Sequence, residues 1–211
     1  MDSYGSDDAW VIKTDATGTN IIWQKGYGGS AQEAVNVSIA TGDGGAIIGM
    51  SSKSGANGDK TTSNFGDSDV WLIRIDANGN ITRQWAFGGN FEDKALSVLQ
   101  TADGGSVFVG WTESTGAGGK DGWVVKLTPS GDVAFEKTFG GVKNDYLCSV
   151  DEDYDGGFVA CGQKQNEQSI TLQRLQAQIE AFTETIEQQR QTIIRIRLDI
   201  NPAQEERHAL I

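Results

Sequence analysis

The chain is poor in the residues on which most catalytic and metal chemistry depends. Its 211 residues include one histidine, His208, close to the C-terminus. That removes Ser-His-Asp and Cys-His chemistry, and His-rich metal sites, from nearly the whole sequence. Two cysteines, Cys148 and Cys161, are too few for a disulfide scaffold. Two prolines beside 28 glycines fit neither a collagen nor a Pro-rich linker. No stretch approaches the run of about 18 apolar residues that a membrane helix needs. The start, MDSYGSDDAW, has no basic segment followed by an apolar one. No signal peptide is therefore expected. Synthesis in a cytoplasm is expected, with assembly into a virion as one destination; an extracellular place follows if the chain is a processed or truncated piece. Positive charge is also scarce: 17 basic against 29 acidic residues give a net charge of −12. That argues against nucleic acid or an anionic membrane as partner.

What is present divides in two. Every glycine and all six tryptophans lie at or before Gly162, and beyond it Gln, Glu, Ile and Arg dominate. Residues 1–163 carry 11 basic and 22 acidic groups, so the acidity belongs to the Gly-rich part. Three domains are expected: 1–163, 164–200 and 201–211.

The first part repeats itself. DAWVIK begins at Asp8, DVWLIR at Asp69 and DGWVVK at Asp121. An aromatic before two glycines recurs at Tyr27, Phe87 and Phe139, and Asp-Gly-Gly at Asp43, Asp103 and Asp155. Three repeats follow, at about 8–60, 69–113 and 121–163, with an insertion around Gly58 to Ser68. Each holds four short apolar runs, in the second Val70–Ile75, Ile81–Phe87, Lys94–Leu99 and Ser106–Trp111. Asn78-Gly79 and Asp103-Gly104 sit between runs as turn signals, with Gly104 expected in the left-handed region. The expected fold is mainly β, with a C-terminal α segment: three four-stranded antiparallel blades, then a long coiled-coil helix and a short terminal one.

These motifs, D-x-W-hydrophobic-hydrophobic-K, aromatic-Gly-Gly and Asp-Gly-Gly-hydrophobic, resemble the kelch-like repeats of bacterial and archaeal β-propellers. The resemblance covers about residues 4–163 and implies four-stranded blades about an axis, without specifying a function. Rings usually have four to eight blades. Three would leave flanks and edges open, so other copies are expected to complete the ring, six blades with two copies or nine with three, unless the chain is a fragment.

After Gln168 the apolar positions are Leu172, Leu175, Ile179, Phe182, Ile186, Gln189, Ile193, Ile196 and Ile200, in alternating steps of three and four. That is a heptad seam, and Ile at both a and d favours three or more strands. A parallel trimer is the expectation, with a dimer or a lone amphipathic helix folded on the body as alternatives. Asn201-Pro202 ends the seam and restarts a short helix through residue 211, whose Ala209, Leu210 and Ile211 are expected to dock on another structural protein.

Few residues suggest a site. Asp151, Asp153 and Asp155 have D-x-D-x-D-G spacing, which in a calcium loop turns alternate carboxylates onto one ion. The twelfth-position Glu is missing (Gly162 stands there), so a hairpin turn with solvated acids is the preferred reading. Cys148 and Cys161 read as small core thiols rather than a pair. Trp10, Trp71 and Trp123 recur at one repeat position and read as inter-blade core. Trp85 and Trp111 break the repeat and are the candidate ligand contacts. No spacing singles out a catalytic carboxylate pair, and no cofactor is implied. The expected role is a non-enzymatic structural and interaction protein, such as a phage fibre or virion appendage. The alternative is a lectin-like or protein-binding propeller, gripping a glycan or protein with blade-top loops, of which the Gly58–Ser68 insertion is the first to test.

Overall fold

The computed structural model describes residues 4–165 and 174–193. The chain divides into two compact units between Gln165 and Asn166, two residues beyond the compositional break. The first unit is antiparallel β; in the second, residues 174–193 form one helix, α1. Residues 201–211, with their expected terminal helix, lie outside the described residues, as do Leu172, Ile196 and Ile200.

Twelve strands run in order: β1 Ala9–Thr14, β2 Ile21–Tyr27, β3 Glu33–Ala40, β4 Ala46–Ser52, β5 Asp69–Ile75 and β6 Ile81–Phe87. They continue as β7 Asp93–Gln100, β8 Ser106–Thr112, β9 Asp121–Leu127, β10 Val133–Phe139, β11 Asp145–Glu152 and β12 Phe158–Lys164. Every repeat thus contributes the four strands expected. Their grouping into sheets differs from the expectation. Instead of three four-stranded blades there are four sheets: β1-β2, β3-β4-β5-β6, β7-β8-β9-β10 and β11-β12. Each four-stranded sheet takes its first two strands from one repeat and its last two from the next. β1 and β12 do not pair, so the sheets do not close into a ring.

The break falls at the aromatic-Gly-Gly motif, where the chain leaves one sheet and enters the next. Turns within sheets follow the glycine signals. Gly104 has φ +84°, and its amide bonds the Thr101 carbonyl at 2.8 Å. No non-glycine residue among those described has positive φ. One bulge recurs at the same place in each repeat, at Asn36, Leu96 and Cys148.

Three apolar clusters fill the spaces between successive sheets. One joins Ala9, Tyr27, Met50 and Trp71; the next Leu72, Phe87, Phe108 and Trp123; the third Val107, Val109, Val124 and Val150. In the middle cluster, Phe108 meets Trp123 edge-on with centroids 5.3 Å apart. β8 and β9 are buried along their whole length because sheets cover both their faces. β10 and β12, at the far end, are largely exposed.

Candidate functional site

Two devices, repeated from sheet to sheet, account for much of the polar sequence. The first is a carboxylate pair at each sheet junction. The opening Asp of the D-x-W motif lies against the first glycine of the aromatic-Gly-Gly motif. A Cβ on Gly28, Gly88 or Gly140 would stand 1.9, 2.0 or 2.0 Å from the Oδ1 of Asp8, Asp69 or Asp121. Only glycine admits that approach. A second acid takes the amide of the following glycine: Gly29 N–H donates to Glu33 at 2.8 Å, Gly89 to Asp93 at 2.9 Å and Gly141 to Asp145 at 2.8 Å. Ser52, Ser114 and the Gln165 amide donate to the same three acids.

Asp69 and Asp93 are fully buried, and each keeps one oxygen without a hydrogen-bond partner. Burial raises the Asp69 carboxyl above its ordinary value, against the amides of Phe65 and Gly66 that lower it; the Asp93 charge adds to the rise. These pairs hold backbone and serine donors at strand ends. Sequence reasoning missed them, although the Asp of each D-x-W motif and an acid four residues after each second glycine were their signal. Among the described residues no three His, Cys, Asp or Glu are grouped to hold an ion.

The second device staples the outer strand of one sheet to a turn of the next. The Trp23 indole donates to the Ala77 carbonyl at 2.9 Å, and Arg83 to Pro129 at 3.1 Å. Two residues on, Lys25 donates to the Gly79 carbonyl at 3.0 Å and Trp85 to Gly131 at 2.7 Å. Trp85, expected to touch a ligand, thus occupies a repeated stapling position and packs on the middle cluster. Trp111 is also engaged within the unit. It is buried, meets Tyr146 edge-on, and carries the Lys120 ammonium 3.6 Å from its ring centroid. The structure does not bring Trp85 and Trp111 together in a common pocket.

The recurrent tryptophans donate across their hairpins, Trp10 to Gln24, Trp71 to Gln84 and Trp123 to Glu136. Trp71 and Trp123 are core, as expected; Trp10 is exposed. Asp151, Asp153 and Asp155 lie exposed on β11 and its turn, bonded to the amides of Glu152, Tyr154 and Gly157. Asp155 caps its turn as Asp43 and Asp103 do theirs, through the amides of Gly45 and Gly105. Cys148 and Cys161 are free and exposed, which corrects their placement in the core. Their sheet has only two strands, and the positions matching Cys161 in the full sheets, Gly49 and Val109, are buried.

The insertion is folded down rather than projecting. Lys60 is buried with its ammonium on the Ser54 carbonyl, and the Asp59 amide bonds Gly28. With Tyr4, Gln24, Lys25, Asn80 and Gln84 it borders an open, polar cleft of about 650 Å³. At its wall the Tyr27 hydroxyl donates to Gly79 at 2.6 Å, and burial, with Asp59 and Asp76, pushes its pKa to about 12.

On α1 the described seam residues Leu175, Ile179, Phe182, Ile186 and Ile193 are all exposed, Phe182 by 71%. Gln189, expected as a polar layer, shares that exposure. Arg190 and Glu187 form a solvent-side ion pair at 3.6 Å. Compared with known proteins, the chain matches no family model and no curated sequence.

Proposed function

We propose that this chain is a non-enzymatic structural and interaction protein, a β-propeller-like module of the kelch-like kind carried on a self-associating coiled-coil stalk. One observation carries the reading: five large apolar side chains on three-four spacing stand exposed along a helix of twenty residues. A soluble helix does not bare such a stripe to water without a partner, and a strict a/d seam suits a second or third copy of itself. Ile at a and d favours three copies, and a conventional ring size favours two. An acidic β-module on an oligomeric stalk is suited to multivalent display in a fibre or virion appendage, with the segment after residue 200 docking on another structural protein.

The test is solution mass by light scattering on the full chain. The wild type is expected at two or three chain masses. Ile186→Asp with Ile193→Asp is expected to reduce it, because charge at two a layers breaks the seam. A single-chain mass for the wild type refutes the reading.

The polar cleft beside the insertion supports a second reading, as a glycan-binding module. An exposed Tyr4 at its rim, with the Gln24 amide beside it, is equipment with which a sugar is stacked and hydrogen-bonded. A glycan array whose signal disappears on deleting 58–68 would establish it; a blank array would remove it.

A further inference from the structure

The two ends of the β unit are bare where its interior is covered. Trp10 is 61% exposed, while its repeat counterparts Trp71 and Trp123 are 0% and 2% exposed. Phe139 is 58% exposed against 9% for Phe87, and Val159 63% against 0% for Val107. The bare residues lie on β1, β10 and β12. The sheets there are complementary halves. β11-β12 matches the first two strands of each four-stranded sheet, and β1-β2 matches the last two. Each complete sheet joins those halves by one ladder, β4 with β5 or β8 with β9.

We infer that β12 of one copy pairs antiparallel with β1 of a second copy, so that β11, β12 and the second copy's β1 and β2 form one four-stranded sheet. The proposal rests on the self-association proposed above and names a contact within it.

The interior ladders supply the register. Val109 faces Val124, Gly110 faces Trp123 and Thr112 faces Asp121. Moved by one repeat, Cys161 faces Val11, Gly162 faces Trp10 and Lys164 faces Asp8. A glycine again lies opposite the tryptophan, as Gly110 does, and Lys164 meets an acid where the interior has Thr112.

Charges and staples continue across the same junction. Arg74 bonds Asp43 at 2.9 Å and Lys126 bonds Asp103 at 3.0 Å, each across a β4-β5 type ladder. The counterparts are Lys13 of one copy and Asp155 of the other; Lys13 now rests on the carbonyls of Gly44 and Ala77. Lys25 and Trp85 donate to Gly79 and Gly131 in the following turn. The next in that series is Lys137 on β10, exposed, and its acceptor is the carbonyl of Gly18 in the second copy's β1-β2 turn. Gly18 has φ +72°, close to +74° at Gly79, so that turn already has the accepting shape. Two copies joined head to tail at both ends make six sheets, within the usual four to eight of a closed ring; three make nine. The inference therefore commits to two.

The experiment places a thiol opposite Cys161 in the full chain. Val11→Cys in a Cys148→Ser background is oxidised to a disulfide, or bridged with a short bis-maleimide, and run without reductant. A covalent two-chain band is expected, lost on adding Cys161→Ser. Ile12→Cys, one residue on and facing the other side of the sheet, is expected to give no disulfide. Absence of the band from Val11→Cys, equal disulfides from both variants, a cross-link within one chain, or a ladder beyond two chains would each overturn the inference.

Hydrogen exchange on the unmodified protein is a second measurement. Those amides of residues 9–14 and 158–164 that do not bond β2 or β11 within their own chain are expected to be protected together and to lose protection together on dilution. Fast exchange at these open-edge amides in an assembled sample would overturn the pairing. The two readings fail separately. No cross-link in a protein whose mass stays above one chain removes the strand pairing and leaves the stalk. A cross-link that survives Ile186→Asp with Ile193→Asp, at unchanged mass, keeps the pairing and removes the stalk as the joint.

Discussion

The Trp85 indole donates to the Gly131 carbonyl at 2.7 Å and ties strand β6 of one sheet to the β9-β10 turn of the next. Lys25 makes the same bond to Gly79 one repeat earlier, at 3.0 Å. Two side chains with nothing in common but a donor at full reach serve one purpose. The staple is defined by where the donor ends, not by residue type, which is why Trp85 stands out in the sequence as an irregularity.

Trp85→Phe keeps the apolar ring and removes the donor. It is expected to destabilise the β unit by about 1 kcal/mol, the net worth of one partly buried hydrogen bond. The urea midpoint is expected to fall with an unchanged slope.

The glycines divide by what surrounds them. A Cβ at Gly140 would lie 2.0 Å from Asp121 Oδ1 and 2.8 Å from Asp145 Oδ2, so Gly140→Ala is expected to cost about 3 kcal/mol through forced displacement of buried acids. Gly156→Ala meets no atom within 4 Å and pays only for φ +82°, roughly 1 kcal/mol. Urea unfolding of the two variants side by side checks the order.

The turn acids and the junction acids are expected to respond oppositely to pH. Asp43 and Asp103 are held at about 2, first by the hydroxyls of Thr41 and Thr101 and then by their basic partners and turn amides. Their contribution is complete above the ordinary value of 3.8 and is lost as pH falls toward 2. Asp69 has a raised value, so its folded form holds a proton longer than its unfolded form, and it favours folding as pH falls from above its folded value. Asp103→Asn is expected to flatten the stability profile between pH 2 and 4. Asp69→Asn is expected to steepen acid destabilisation, because it removes the opposing contribution. Thermal midpoints measure the first across that range and the second above pH 3.8, where the folded form of Asp69 takes up its proton before the unfolded form does.

Lys120 bridges Glu92 and Glu113 at 3.8 and 3.4 Å while sitting over Trp111. Lys120→Gln is expected to cost about 1 kcal/mol, with a change in the near-ultraviolet circular dichroism of Trp111. In high salt the part due to the two glutamates is expected to shrink, and the part due to the ring to persist.

Strand positions were largely legible from sequence: Ile81–Phe87 coincides with β6, and Val70–Ile75 falls one residue short of β5. Apolar runs and left-handed glycines are local signals, and local signals place local structure. Sheet membership was not legible. Similarity sets the length of a repeat but not the point within it where the chain changes sheets, and at that point Asp69 and Asp93 meet around Gly88. Both acids look like solvent-facing residues until the fold buries them. Cys161 was misplaced for a related reason: its repeat position is interior in a full sheet, and its own sheet has two strands. The helix α1 was legible because a three-four step of apolar residues needs no tertiary partner to be seen.

Because every full sheet straddles two sequence repeats, the unit of inheritance and the unit of architecture are out of phase. Adding or deleting one repeat would change the number of sheets yet leave the same two half-sheets outermost, with the same open edges. Chains related by such duplication would differ in girth and keep identical ends, and the closure inferred above would demand no specially evolved terminal repeat.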